Sequence, residues 1–386
     1  LLIAPDCFSG TLSAAQAAEA IARGWRSRAP GDELTLVPLS DGGPGFLDVL
    51  SGALGGTALS VTVADPLGRP VPAAILIVDL EGTRTAFIES AQACGLHLLA
   101  EGEPNPMVTS TYGVGQLIKA AVAGGATRVV VGLGGSATND GGAGMLAALG
   151  VGDPDQLSAG GARLGELDDG GLRDLIAVRR RLRGVELVLA TDVDSPLLGF
   201  HGASAVFAPQ KGATPQMAQR LEAAMGRFAE VAGRTLPAVR DLLTGRESRL
   251  EREPGAGAAG GLGYGLLLLG GHRASGVQAV LDAVGFEELV RSSDLIVTGE
   301  GTFDWQSLSG KVVTGVAQAG LANAKPVVVI AGQALLGRRD TMELGVSGIY
   351  AVAQDPDQVA AAQADPSGTL CARAARVATT WSPQPG

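Results

Sequence analysis

Val129–Gly150, VVVGLGGSATNDGGAGMLAALG, decides how the chain is read. An apolar run breaks into a polar, glycine-rich stretch from Gly134 to Gly144 and resumes as a Met/Leu/Ala helix, giving a strand, a loop and a helix. Successive small residues let backbone N–H groups converge just ahead of a helix N-terminus, and Ser136, Thr138 and Asn139 add side-chain donors. That is an anion cradle. Close packing of helix on sheet also calls for glycine, but packing alone does not call for the polar run SATND.

The same rhythm recurs at both ends of the chain. Leu1–Pro5 reads as a buried strand, and Ser13 with Gln16 forms a capping box for a helix whose Ala14, Ala17, Ala18, Ile21 and Trp25 share one face. Leu34–Leu39 reads as a second strand ending in SDGGPGF, with a helix from Leu47. SDLIVTG, KPVVVIAG and GIYAVA follow late in the chain, separated by helical lengths; with the first two strands they predict one parallel sheet interrupted by a long insertion. From about Ser60 the texture changes: VTVADPLGRPVPAAILIV and TRTAFIESA are β-branched strands joined by Pro/Gly turns, so the insertion carries a mixed sheet. ELVLATD is a further strand, ending on Asp192.

At 386 residues the chain exceeds what one hydrophobic core serves, and 46% hydrophobic content with 58 glycines fits an α/β protein with many tight loops. A net charge of −10 disfavours nucleic-acid and acidic-membrane binding, so any anionic ligand must be met locally. Cys7, Cys94 and Cys371 are too few for a disulfide scaffold, and a reducing cytoplasm is expected. LLIAPD has no basic run and meets Asp6 early, unlike a signal peptide. No apolar run reaches the roughly 18 residues of a membrane span.

Gly132, Gly134 and Ala137 satisfy the spacing of a dinucleotide fingerprint, which makes a nicotinamide oxidoreductase one reading. That fingerprint also requires a second strand bearing an acid about 20 residues on, where this chain has the loop VGDPDQLSAGG. The P-loop pattern is absent. Of four lysines, Lys211 (PQKGA) and Lys311 (LSGKV) sit beside glycine in polar loops, where a compact cation suits phosphate. Asp6, Asp41, Asp140, Asp192, Asp194, Glu300 and Asp304 lie in loops, several past strand ends, as candidates to bind metal or orient a hydroxyl. His97, His201 and His272 lack catalytic partners at any recognised spacing. A glycine cradle, loop lysines and loop carboxylates together point to phosphoryl transfer, where catalysis is mainly positioning and charge neutralisation.

The chain resembles the bacterial class I glycerate kinases nearly end to end. The resemblance is carried by APDCFSGTLSA, SDGGPGF, VADPLGRPV, AFIESAQACGL, STYGVGQLIKAA, VGLGGSATNDGGAGMLAALG, ATDVDSPLLG, GASAVFAPQKGAT, PGAGAAGGLGYGL, TGEGTFDWQS and GKV. It implies a Rossmann-like domain built from residues 1–60 and 287–386, an inserted α/β domain at 61–286, and an active site between them. It also implies transfer of phosphate from ATP, with Mg2+, to D-glycerate or a close hydroxy acid. Residues expected to act in catalysis are Asp192 or Asp41 on the substrate hydroxyl, and Lys211 and Lys311 on phosphate. Asp6, Gly134, Gly135, Ser136, Thr138, Asn139, Gly299 and Glu300 are expected to bind phosphate or substrate, and Asp304 and Asp140 to bind metal. Partners reduce to a small-molecule substrate, with a homodimer left open. The family usually carries lysine at Ser9, glutamate at Pro44, asparagine at Ser195 and arginine at Thr302. These departures keep a second reading alive, a pseudokinase or binding protein with weakened or retargeted activity.

Overall fold

Thirteen strands, with helices between most of them, make up the described part of a computed structural model that covers residues 1–8, 10–237, 249–308, 311–337, 339–341 and 344–382. In chain order the strands are β1 (Leu2–Ile3), β2 (Thr35–Leu36), β3 (Thr57–Ala64), β4 (Pro70–Leu80), β5 (Thr83–Glu89), β6 (Arg128–Gly132), β7 (Glu186–Ala190), β8 (His272–Ala274), β9 (Ile296–Thr298), β10 (Thr302–Phe303), β11 (Val327–Ala331), β12 (Gln333–Ala334) and β13 (Val346–Ala351). The fold is α/β, with two compact units. One comprises Leu1–Asp41, Asp48–Leu54 and Val277–Gly386, the other Gly42–Leu47 and Gly55–Gly276.

The first unit holds a parallel sheet in the order β13-β11-β9-β1-β2. These are the five strands read from the sequence. β1 and β2 are shorter than expected because Pro5 and Pro38 have no N–H for the ladder, yet Asp6 N still donates to Gly299 O at 2.8 Å and Leu39 N to Pro5 O at 2.9 Å. One face of the sheet (Ile3, Val297, Val328, Ile330) buries against Ile21 and Trp25 of the helix Ala14–Arg26 and against Leu370 and Val377 of the helix Pro366–Trp381. Ser13 Oγ accepts from Gln16 N and caps the first of these helices, and the reciprocal bond, from Ser13 N to Gln16 Oε1, completes the capping box.

The second unit holds a mixed sheet in the order β3-β4-β5-β6-β7-β8. β3, β4 and β5 form an antiparallel meander, and β5 to β8 run parallel. The change of direction follows from the connections. Pro/Gly turns can join only antiparallel neighbours, while the passage from β5 to β6 carries the helix Tyr112–Ala123. Its Val114, Leu117, Ile118 and Ala121 pack on Ile88, Val129 and Val131.

Candidate active site

In the first unit, Asp6 follows β1, Asp41 lies beyond β2 and Glu300 follows β9, so parallel pairing gathers their carboxylates at the carboxyl ends of adjacent strands. Asp6 and Glu300 are 9% and 7% exposed. Burial, and then the charge of Asp41, hold the Asp6 carboxyl well above the usual carboxylate range, against a 2.6 Å hydrogen bond from Cys7 N. Burial pushes Glu300 up to about 7; a hydrogen bond from Ser307 and the charge of Lys311 pull it back, while Asp304 and Asp41 push it further. Its Oε1 is buried and has no hydrogen-bond partner among the described residues. Gly299 is glycine for packing, since a Cβ there would lie 1.9 Å from Ile330 O. Lys311 sits just before the helix Val312–Ala322.

In the second unit, the glycine loop follows β6. The N–H groups of Ala137 and Leu133 are spent on Cys94 O (2.7 Å) and Ala190 O (3.0 Å). Those of Gly134, Gly135 and Ser136 meet no acceptor among the described residues, and Gly135 is exposed. Three successive unspent donors at an accessible turn make a nest for an anionic oxygen. Lys211, read from sequence as a loop lysine, is only 2% exposed and lies behind this nest, where Nζ donates to Ser136 Oγ at 2.8 Å and Thr138 O at 2.7 Å. Burial lowers its pKa to about 8, against the opposing effect of Cys94 and Asp140. Cys94 itself is fully buried, and that burial pushes its thiol up to about 12.

Thr138, Asn139 and Asp140 are also fully buried. Asp140 accepts from Thr111 N (2.8 Å), Thr111 Oγ1 (2.9 Å), Gly142 N (3.1 Å) and Gly144 N (3.2 Å), and these bonds fasten the loop to the start of the helix Tyr112–Ala123. Asn139 Nδ2 donates to Ser204 Oγ at 3.0 Å. Among the described residues no three His, Cys, Asp or Glu side chains are grouped to hold a metal ion. Asp192, just past β7, is half-buried and accepts from Ser275 Oγ at 2.6 Å. Asp194 pairs with Arg273 at 2.7 Å.

Three contributors were missed in the sequence. Glu89, ending β5, accepts from Gly45 N (3.1 Å) and Leu47 N (3.3 Å) and so anchors the SDGGPG loop. Thr109 Oγ1 donates to Ala137 O at 2.9 Å. Thr111 holds Asp140, as above. Their signal was available as polar side chains inside otherwise apolar stretches, AFIES and MVTSTYG, where burial demands a partner.

A family model described as the glycerate kinase family matches residues 1–382. The chain belongs to the glycerate kinase family. A glycerate kinase of Bacillus subtilis (strain 168) is 42% identical over 357 residues, 91% of this chain and 90% of that protein. The glycerate 2-kinase of Escherichia coli (strain K12) is 40% identical over 338 residues, 86% and 84% of the two chains. A crystal structure from Salmonella typhimurium LT2, solved as a candidate glycerate kinase 2, superposes with a TM-score of 0.72 at 36% identity, covering 98% of this chain and 97% of that one. The nicotinamide reading has no support: after the loop the next strand begins only at Glu186. Nor does any similarity favour a binding protein. Of the departures from the family pattern, Thr302 is exposed on β10, Pro44 is exposed with its ring against Gly135, and Ser195 O accepts from Gly257 N at 2.9 Å. Ser9 lies outside the described residues.

Proposed function

We propose that this chain transfers the γ-phosphoryl group of ATP to a hydroxyl of D-glycerate, with Glu300 as the proton acceptor. Membership of the glycerate kinase family supports the activity, and the buried, unpartnered Oε1 of Glu300 is the observation that supports the chemistry. A carboxyl with a pKa near 7 is ionised often enough to accept a proton and basic enough to keep it. As the hydroxyl oxygen bonds to the γ-phosphorus, its proton passes to Glu300 and the bond from γ-phosphorus to the bridging oxygen breaks, releasing ADP. Burial, and with it the charges of Asp304 and Asp41, hold the pKa of Glu300 up, and Lys311 supplies positive charge to the phosphates.

The donor set around Glu300 is all oxygen, which suits Mg2+, an ion usually held by one or two carboxylates together with substrate phosphates. Asp304 is the carboxylate we assign to it, and the ion would neutralise phosphate charge. Asp140, with four protein donors already on its oxygens, is assigned to structure instead. The nest at Gly134–Ser136 is assigned to an anionic oxygen of substrate or product, with the Lys211 charge behind it. The three free cysteines are in keeping with a cytoplasmic setting, and no helix among the described residues is long and apolar enough to cross a membrane.

A coupled ADP-release assay with glycerate, followed by phosphorus NMR of the product, tests the assignment. Glu300→Gln is expected to lower kcat by about 10²- to 10⁴-fold with ATP affinity little changed. The bond from Ser275 favours Asp192 as a second candidate. If Asp192→Asn loses turnover while Glu300→Gln keeps it, the acceptor is Asp192. Failure of the wild-type chain to release ADP with glycerate would overturn the activity itself.

A further inference from the structure

Arg373, on the helix Pro366–Trp381, has no carboxylate partner among the described residues, and its Nε is buried without a hydrogen bond. Its guanidinium lies 5.8 Å from the centroid of the Tyr350 ring, and Tyr350 Oη accepts from Trp381 Nε1 at 2.9 Å, which fixes the ring beneath the cation. Burial, and then the neighbouring Arg376, lower the Arg373 pKa. A partly desolvated cation without a counter-charge is costly unless an anion meets it.

Arg373 and Tyr350 line a cavity of about 560 Å3 along the outer edge of β13, within the size range of small-molecule sites. Leu336 and Ile349 give it apolar walls, Gln354 supplies hydrogen-bonding groups, and among the described residues no acidic side chain lines it. It extends to Gln354, past the carboxyl end of β13. In the sheet order, β13 is separated from β9, which leads to Glu300, by β11 alone. That interval is two strand spacings, about 10 Å, a distance that an extended nucleoside triphosphate covers.

We propose that this cavity seats the nucleotide of the phosphate donor, its base against the apolar walls and its anionic portion at Arg373. The proposal rests on ATP being the donor. Equilibrium titration of ATP, without glycerate, into wild type, Arg373→Gln and Arg373→Lys tests it alongside steady-state kinetics. Loss of one charge-assisted contact is expected to raise the ATP Kd and KM about ten- to a hundred-fold in Arg373→Gln. Arg373→Lys should recover part of the affinity, the KM for glycerate should stay within about two-fold, and thermal melting should match wild type. If wild type binds and consumes ATP and Arg373→Gln does so equally well, the cavity is not the nucleotide site. If wild type neither binds nor consumes ATP, the donor assignment fails instead. Equal loss of ATP and glycerate affinity with a lowered Tm would show a structural role for Arg373 and overturn the proposal.

Discussion

At the scale of single residues, the role proposed for Glu300 would join catalysis to stability. Its ordinary pKa of 4.5 applies in the unfolded chain and a value of about 7 in the fold. Below both values the carboxyl is protonated in either state and nothing is lost. As pH rises between them, the unfolded chain releases its proton first, so stability falls across that window by about 3 kcal/mol. Glu300→Gln removes the ionisable group. It is expected to be more stable than wild type toward denaturant at pH 8, with the gain shrinking toward pH 5, and almost inactive throughout. In wild type, kcat/KM should rise with pH and level off above about 7; a flat profile from pH 5 to 8 would remove Glu300 from the proton path. Lys211 makes a different case, because the effect proposed for it would be exerted through the loop it holds. Lys211→Met keeps the stem but strands Thr138 O and Ser136 Oγ, so a loss of about 1 to 3 kcal/mol in stability is expected together with lowered kcat/KM. Unchanged kinetics at equal stability would show that the nest does not need the charge behind it.

Between elements, the glycine loop is explained by what packs against it as well as by what it could bind. A Cβ on Gly134 would lie 2.5 Å from Gly43 Cα, and one on Gly260 only 1.9 Å from Thr138 O. A Cβ on Gly142 would lie 2.9 Å from Gly265 Cα, so GGSATNDGGAG lies directly on PGAGAAGGLGYG, backbone to backbone. Gly260→Ala, at φ +69, is therefore expected to cost about 4 kcal/mol or more. Gly68→Ala, at φ +83 with nothing within 4 Å, carries only the left-handed backbone penalty of about 1 to 2 kcal/mol. Comparable losses for the two in chemical denaturation would refute the packing account. Gly135→Val, at φ +65 against the Pro44 ring, belongs with the first kind, so lost binding in that variant says little about a phosphate contact.

For the whole molecule, chain continuity and compactness do not coincide. Gly42–Leu47 belong to the unit whose main body is Gly55–Gly276. They cover Gly134 and supply two donors to Glu89, which is 6% exposed. A fragment of residues 42–276 is thus expected to melt about 5 °C or more above one of residues 55–276, since the shorter piece leaves a buried carboxylate short of donors. Identical melting would mean that the segment is an ornament on that unit. The five parallel strands could be read from their apolar runs, and the Ser13 cap from two residues at fixed spacing. Lys211 could not be placed in that way. Its partners Ser136 and Thr138 stand 75 and 73 positions away, and composition shows a polar loop without showing which of its side chains turns inward. The second glycine segment was legible as a motif, but its contact with the first depends on how β6, β7 and their loops close in three dimensions.

The neutral thiol buried behind the loop makes the chain its own clock. Cys94 is fully covered and, with its pKa near 12, almost entirely unionised at neutral pH, whereas Cys7 and Cys371 are partly exposed. Alkylating reagents attack the thiolate, so two cysteines should be labelled promptly and the third only when its surroundings come apart. The rate of that last modification, followed by mass spectrometry without any added probe, reports how often the region beneath the glycine loop opens. A ligand seated in the nest should slow it in proportion to the occupancy of the nest.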